Sequence, residues 1–384
     1  MADRCVAKVR LAALTPEHSL YIQPVDLIRG EPASALVAQG EALHLAGGPL
    51  AFSNVELLWR RPGERVERDV VAVRDLREAL ADADFAVADG AAGLLSNLSR
   101  SRSPFAGISL HRPRIMGVIN VTPDSFSDGG LYASASAAID HGKRLWEEGA
   151  DFIDVGGVST RPGADPVSIQ DELDRVMPVV EGLSGLPVPI SIDTRSSAVM
   201  QRAIAAGAAI INDTSALSAG PESIEVASNL RAPVVLMHCL GEPKTMQDAP
   251  CYEDVACDIY DYLDKRVAAC CAGGIDRTQI MVDPGIGFGK TVGDNVELLR
   301  NLALLHCLGV GLLIGVSRKS FIGALSTSAP ADNRLPGSLA AALWVLHLGA
   351  QVIRVHDVAD TKQATAVWNA ISINKLTEES LRIP

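Results

Sequence analysis

The chain has 384 residues, of which 48 % are hydrophobic and 21 % charged, and its formal net charge is −12. That length calls for one large domain with a smaller one, or for two domains, and the composition is that of a globular chain able to bury a sizeable core. The acidic balance excludes a general nucleic-acid or anionic-membrane surface, so an anionic ligand would need local counter-charges.

The seven cysteines show no CxxC pair, and adjacent Cys270 and Cys271 are badly placed to bridge each other. Free thiols in a reducing cytoplasm follow. Asp3, Arg4, Lys8 and Arg10 interrupt any secretory leader at the N-terminus. No apolar run reaches the roughly 18 residues that a membrane helix needs. A cytoplasmic protein is expected, with neither membrane nor nucleic acid as partner.

Residues 1–98 carry no chemical motif. AFSNVELLWRR (51–61) and RDVVAVRDL (68–76) read as strands, and 77–98 as partly helical. This part is expected to be a small α/β accessory domain, with a role in oligomer contacts as one reading. Residues 99–113, rich in Ser, Arg, Pro and Gly, read as a linker.

From residue 114 the texture becomes regular. Eight short apolar runs alternate with helical patterns: RIMGVIN, FIDVGG, PISIDT, AIINDTS, PVVLMH, IMVDPG, LLIGVS and VIRVHD. Apolar strands alternating with helices argue for a parallel sheet buried on both faces. Eight such units predict a (β/α)8 TIM barrel over 114–384. A doubly wound open sheet fits less well, because no dinucleotide-type glycine fingerprint appears.

Barrel active sites lie at the C-terminal ends of the strands. Polar groups close nearly every run: Asn120, Asp154, Asp193, Asn212, Asp213, His238, Asp283, Ser317 and His356. Helix capping explains one such residue easily but the whole set poorly. Buried Asp and Asn suit a flat, amide-rich ligand. Arg354 and His356 are two residues apart, so they share a face, while Asp357 points the other way. The first loop, NVTPDSFSDGG (120–130), is long and polar, and Asn120, Asp124 and Asp128 offer hard oxygen ligands that suit Mg2+.

At these residues the chain resembles the dihydropteroate synthase family. MGVINVTPDSFSDGG (116–130), GGVSTRPGA (156–164), MHCLGEPKTMQ (237–247), DPGIGFGKT (283–291), SRKSFIG (317–323) and RVHDV (354–358) are similar to the family's motifs in order. The resemblance implies condensation of a pterin methyl diphosphate with p-aminobenzoate, by an SN1-like loss of diphosphate. It implies Asp193, Asn212, Asp283 and Lys319 around the pterin, and Asn120, Arg354 and His356 at the diphosphate. Phe126, Thr160, Arg161, Pro162 and Ser320 would line the p-aminobenzoate pocket. It further implies Mg2+ near Asn120, with Asp128 as a second candidate ligand, catalytic work by Lys319, Arg354, His356 and Asp193, and a homodimer. One position departs from the family: Val158 stands where GGESTRPG has Glu. The competing expectations are a pterin-binding methyltransferase-type domain, which should lack STRPG, SRKS and RVHD together, and a non-catalytic pterin-binding homologue.

Overall fold

The computed structural model describes residues 14–15, 17–81, 85–121, 130–159, 167–241, 245–326 and 328–373. Its N-terminal unit runs β1 (Ser19–Val25), β2 (Ile28–Arg29), α1 (Gly30–Ala38), β3 (Leu43–His44), β4 (Leu50–Phe52), β5 (Asn54–Arg60), β6 (Glu67–Ala72), α2 (Val73–Leu80) and α3 (Phe85–Ser99). Strands β1, β5 and β6 form one antiparallel sheet, and β2, β4 and β3 a second. The run 68–76, expected as one strand, divides at residue 72. Beyond it Val73, Leu76 and Ala79 are buried at helical spacing, and the chain winds into α2.

The barrel follows. Its strands are β7 (Arg114–Asn120), β8 (Phe152–Gly156), β9 (Ile190–Asp193), β10 (Ile210–Asp213), β11 (Val234–Met237), β12 (Ile280–Asp283), β13 (Gly311–Gly315) and β14 (Val352–Val355). All pair in parallel, and β14 closes the ring on β7 with Ile353 beside Ile115. The (β/α)8 barrel expected from the eight apolar runs is thus the observed architecture. Between the strands lie α4 (Gly130–Glu147), α5 (Ile169–Leu183), α6 (Ser197–Ala205), α7 (Ser223–Leu230), α8 (Val255–Ala272), α9 (Val292–Arg300), a 3-10 segment (Leu302–Leu308), α10 (Ser320–Leu325) and α11 (Leu335–His347). The last helix is α12 (Val358–Ile373).

Local chemistry sets these boundaries. The Ser168 side chain accepts from the Asp171 amide and starts α5, whose Val176, Val179, Val180 and Leu183 face the sheet. Thr291 and Asp294 form a reciprocal capping box at the start of α9.

Inside the barrel the two-residue period of the strands sorts the side chains into layers. Met116, Phe152, Ile210, Val235, Met281, Leu313 and Val352 form an apolar lower layer. Phe105 and Leu110, from the segment read as a linker, join that cluster and close the floor, with Phe105 edge-on to Phe152 at 6.4 Å. Two residues further along the strands the inward positions turn polar: Asp154, Asn212, Asp283 and Arg354. The N-terminal unit does not stand apart. Tyr21, Phe52, Leu57 and Leu98 belong to the same continuous core as Leu304, Leu305 and the barrel's outer layer.

Candidate active site

Arg354, on β14, reaches across the barrel. Its Nε donates to Asp154 Oδ2 at 2.7 Å and its Nη2 donates to Asp193 Oδ2 at 2.9 Å. Asn212 Nδ2 donates to the same Asp154 oxygen at 3.1 Å. Asp154 is fully buried, and its Oδ1 has no hydrogen-bond partner among the described residues. Burial pushes the Asp193 carboxyl above its usual range; Arg354 opposes this, and Asp154, Asp213 and Glu172 add to it. Two buried carboxylates gripping one guanidinium make a rigid polar cluster at the barrel's mouth, because each would be costly without the other.

Asp283 ends β12 and accepts from the Gly285 amide at 2.7 Å. Burial raises its pKa, while that amide and the charges of Lys319 and Arg354 favour the ionised form. Lys319 Nζ sits 4.1 Å from the centre of the Phe288 ring. The preceding turn presents it: Arg318 has φ of 58° and is held there by Asp357, whose Oδ2 accepts from Arg318 Nε at 3.0 Å. Asp357 therefore has the structural place expected of it, outside the polar cluster. His356 lies beyond Arg354 with its Nδ1 3.1 Å from Ser317 Oγ. Burial, with Arg354 and Arg318 nearby, pushes His356 down to about 3, so it is neutral near pH 7.

Asp193, Asn212, Asp283, Lys319, Arg354 and His356 thus gather at one end of the barrel. Asn120 ends β7 at the same mouth, and Ser320 is exposed at the start of the six-residue helix α10. Phe126, Asp124, Asp128, Thr160, Arg161 and Pro162 lie outside the described residues. Val158 is half-buried just before them, after Gly157, whose carbonyl accepts from Arg175 at 2.9 Å.

Sequence reasoning ranks Asp154 only among the polar strand ends, yet it is the hub joining Arg354 to Asn212. Lys290 escapes it altogether. That lysine is buried, with Nζ 3.0 Å from His238 Nδ1 and donating to the carbonyls of Gly285 and Phe288 at 2.9 and 3.0 Å. Burial lowers it to about 7, and burial with the Lys290 charge lowers His238 to about 2. A lysine ending a run as glycine-rich as DPGIGFGK is the available signal, since such loops need internal braces. Gly285 shows why glycine is required: its φ is +66°, and a Cβ there would lie 1.9 Å from the His238 carbonyl oxygen.

Comparison with known proteins agrees with this geometry. The family model described as pterin binding enzyme matches residues 116–356. The dihydropteroate synthase of Neisseria meningitidis serogroup B is 48 % identical over 272 residues, 70 % of this chain and 95 % of that protein. That of Escherichia coli K12 is 46 % identical over 264 residues, 68 % of this chain and 93 % of that one. The Xanthomonas albilineans dihydropteroate synthase solved with 4-aminobenzoic acid is 46 % identical with a TM-score of 0.66, covering 73 % of this chain and 97 % of that one. The same enzyme in complex with 7,8-dihydropteroate aligns at 43 % identity and TM-score 0.63, covering 72 % of this chain and 97 % of that one. The chain belongs to the pterin-binding enzyme family, among its dihydropteroate synthases.

Proposed function

We propose that this protein condenses (7,8-dihydropterin-6-yl)methyl diphosphate with p-aminobenzoate, giving 7,8-dihydropteroate and diphosphate in folate biosynthesis. The observation that carries the reading is the inward cluster of Asp154, Asp193, Asn212 and Asp283 around Arg354. It offers acceptors for the amino and ring N–H groups of a pterin and a fixed cation beside them. Asp193, Asn212, Asp283 and Lys319 hold the ring. Asn120, Arg354 and His356 hold the diphosphate.

The C–O bond breaks first, and its electron pair leaves with diphosphate. The positive charge spreads over the pterin and its methylene, where buried carboxylates favour it. The amine nitrogen of p-aminobenzoate then attacks the methylene and loses a proton. Phe126, Thr160, Arg161, Pro162 and Ser320 form the p-aminobenzoate pocket, and Val158 leaves the chemistry intact while altering the base of that loop.

Mg2+ fits as a cofactor. It takes oxygen ligands and keeps several from water and phosphate, so the Asn120 amide oxygen, with Asp128 as a second candidate, suffices from the chain. Among the described residues no group of three His, Cys, Asp or Glu gathers to hold a metal without substrate. When bound, the ion supplies charge neutralisation on the departing diphosphate. The protein is a cytoplasmic homodimer in this reading. No helix among the described residues is long and apolar enough to cross a membrane.

A coupled assay with each of pterin diphosphate, p-aminobenzoate and Mg2+ omitted in turn tests the proposal. Sustained diphosphate release with formation of 7,8-dihydropteroate should require all three. Steady-state diphosphate release as fast without p-aminobenzoate as with it, or unchanged turnover and diphosphate binding after Arg354→Ala with His356→Ala, would defeat it.

A further inference from the structure

The N-terminal unit precedes the stretch matched by the family model, which begins at residue 116. Among its contacts with the barrel, such as Arg29 to the Leu346 carbonyl and Asn97 to the Cys307 carbonyl, one set engages the start of α8. That helix begins at the catalytic mouth, because it follows the loop leaving the C-terminal end of β11. Asp254 caps it by accepting from the Cys257 amide at 3.0 Å, and Asp258 accepts from the amides of Glu253 and Asp254 at 2.8 and 3.3 Å.

Two arginines of the N-terminal sheet engage these acids. Arg68, on β6, donates to Asp254 Oδ2 at 2.5 Å. Arg60, at the end of β5, donates to Asp258 Oδ1 at 2.7 Å and to Asp261 Oδ2 at 2.9 Å, and its Nε donates to Tyr21 Oη at 3.2 Å. The side chains of Arg60 and Asp254 are 10 % and 8 % exposed, and those of their partners Asp258 and Arg68 are 25 % and 33 % exposed, so these pairs are partly shielded from the screening that makes surface ion pairs weak.

On the other side of the cap, the loop before α8 grips the loop 284–290. Tyr252 Oη donates to the Gly289 carbonyl at 2.6 Å, and Gln247 Nε2 donates to the Gly287 carbonyl at 2.9 Å. Gly289 packs so closely that a Cβ there would lie 2.4 Å from the Leu240 carbonyl oxygen. Loop 284–290 in turn carries Phe288 beneath Lys319 and the Gly285 amide on Asp283.

We infer that the N-terminal unit is a positioning element for the pterin half of the site: Arg60 and Arg68 fix the start of α8, so that Tyr252 and Gln247 hold loop 284–290 against Asp283 and Lys319. The inference rests on the pterin reading of Asp283 and Lys319. It separates this chain from a barrel that carries its loops unaided, and it gives the N-terminal third a task in substrate affinity. Arg60 and Arg68 act through other residues and touch no substrate.

The test uses the full-length protein in steady-state assays with both substrates. Arg68→Ala should raise the KM for pterin diphosphate about fivefold, the size of effect expected along such a network, while the KM for p-aminobenzoate stays within about twofold. Arg68→Lys should restore most of the pterin affinity. Tyr252→Phe, which deletes one hydroxyl and keeps the ring, should repeat the pterin effect. Arg74→Ala, which removes an exposed pair with Glu41 in the same unit, should change neither constant. The inference fails if Arg68→Ala lowers Tm yet leaves the pterin KM unchanged, or raises both KM values alike. Should Arg68→Ala not fold, an unaltered pterin KM in both Arg68→Lys and Tyr252→Phe overturns it. Absence of turnover in the unmodified protein would instead sink the proposed reaction.

Discussion

Arg354 illustrates how one residue serves both stability and chemistry. It neutralises Asp154 and Asp193 across the barrel, and both would otherwise be buried anions. Arg354→Met should therefore lower the unfolding free energy by about 3–5 kcal/mol as well as weaken diphosphate binding, because breaking a buried pair strands its partners. Urea unfolding measures the first effect and diphosphate titration the second. The double variant Arg354→Met with Asp154→Asn should recover part of the stability but none of the binding. If Arg354→Met unfolds at the same urea concentration as the unmodified protein, the guanidinium is not compensating those carboxylates.

At the scale of elements, the segment 99–113 does more than connect. Its Phe105 and Leu110 seat under the apolar layer of the barrel, at the end opposite the polar cluster. Phe105 is 2 % exposed, so Phe105→Ala should cost about 3–5 kcal/mol, made up of lost burial and a residual cavity. Both KM values should stay within about twofold, since the floor lies away from the mouth. A change of less than about 1 kcal/mol in chemical unfolding would show that the floor does not depend on this ring.

For the whole molecule, three histidines give the folded state a pH dependence of known sign. Burial, with nearby cations, lowers His306 to about 3, His356 to about 3 and His238 to about 2. Below the ordinary value of 6.5 the unfolded chain takes up protons that these folded histidines refuse, so their contribution to stability falls as pH drops from 6.5 towards 3, while Asp193 and Asp283, raised by burial, contribute in the opposite sense. Each such histidine contributes a slope of up to about 1.4 kcal/mol per pH unit in that window. His306 is fully buried, with Nε2 3.1 Å from the Leu348 carbonyl oxygen. Tm measured at pH 5 and pH 7 should differ less in His306→Gln than in the unmodified protein. An equal difference would mean that His306 takes up its proton as readily when folded.

The barrel and its polar mouth were legible without coordinates because they are written locally. Short apolar runs alternating with helical patterns read as strands covered on both faces, and the two-residue period turns Asp154, Asn212, Asp283 and Arg354 inward together. The family motifs reach the same residues by resemblance. What no local pattern encodes is who meets whom. Arg354 pairs with Asp154 200 residues away, and Lys290 meets His238 across 52. Phe105 becomes a floor only because the ring of strands closes above it. The arginines of β5 and β6 acquire a partner only because the N-terminal unit shares its core with the barrel. Those choices depend on packing and on the cost of leaving a buried charge alone, and both are settled only when the whole chain is folded.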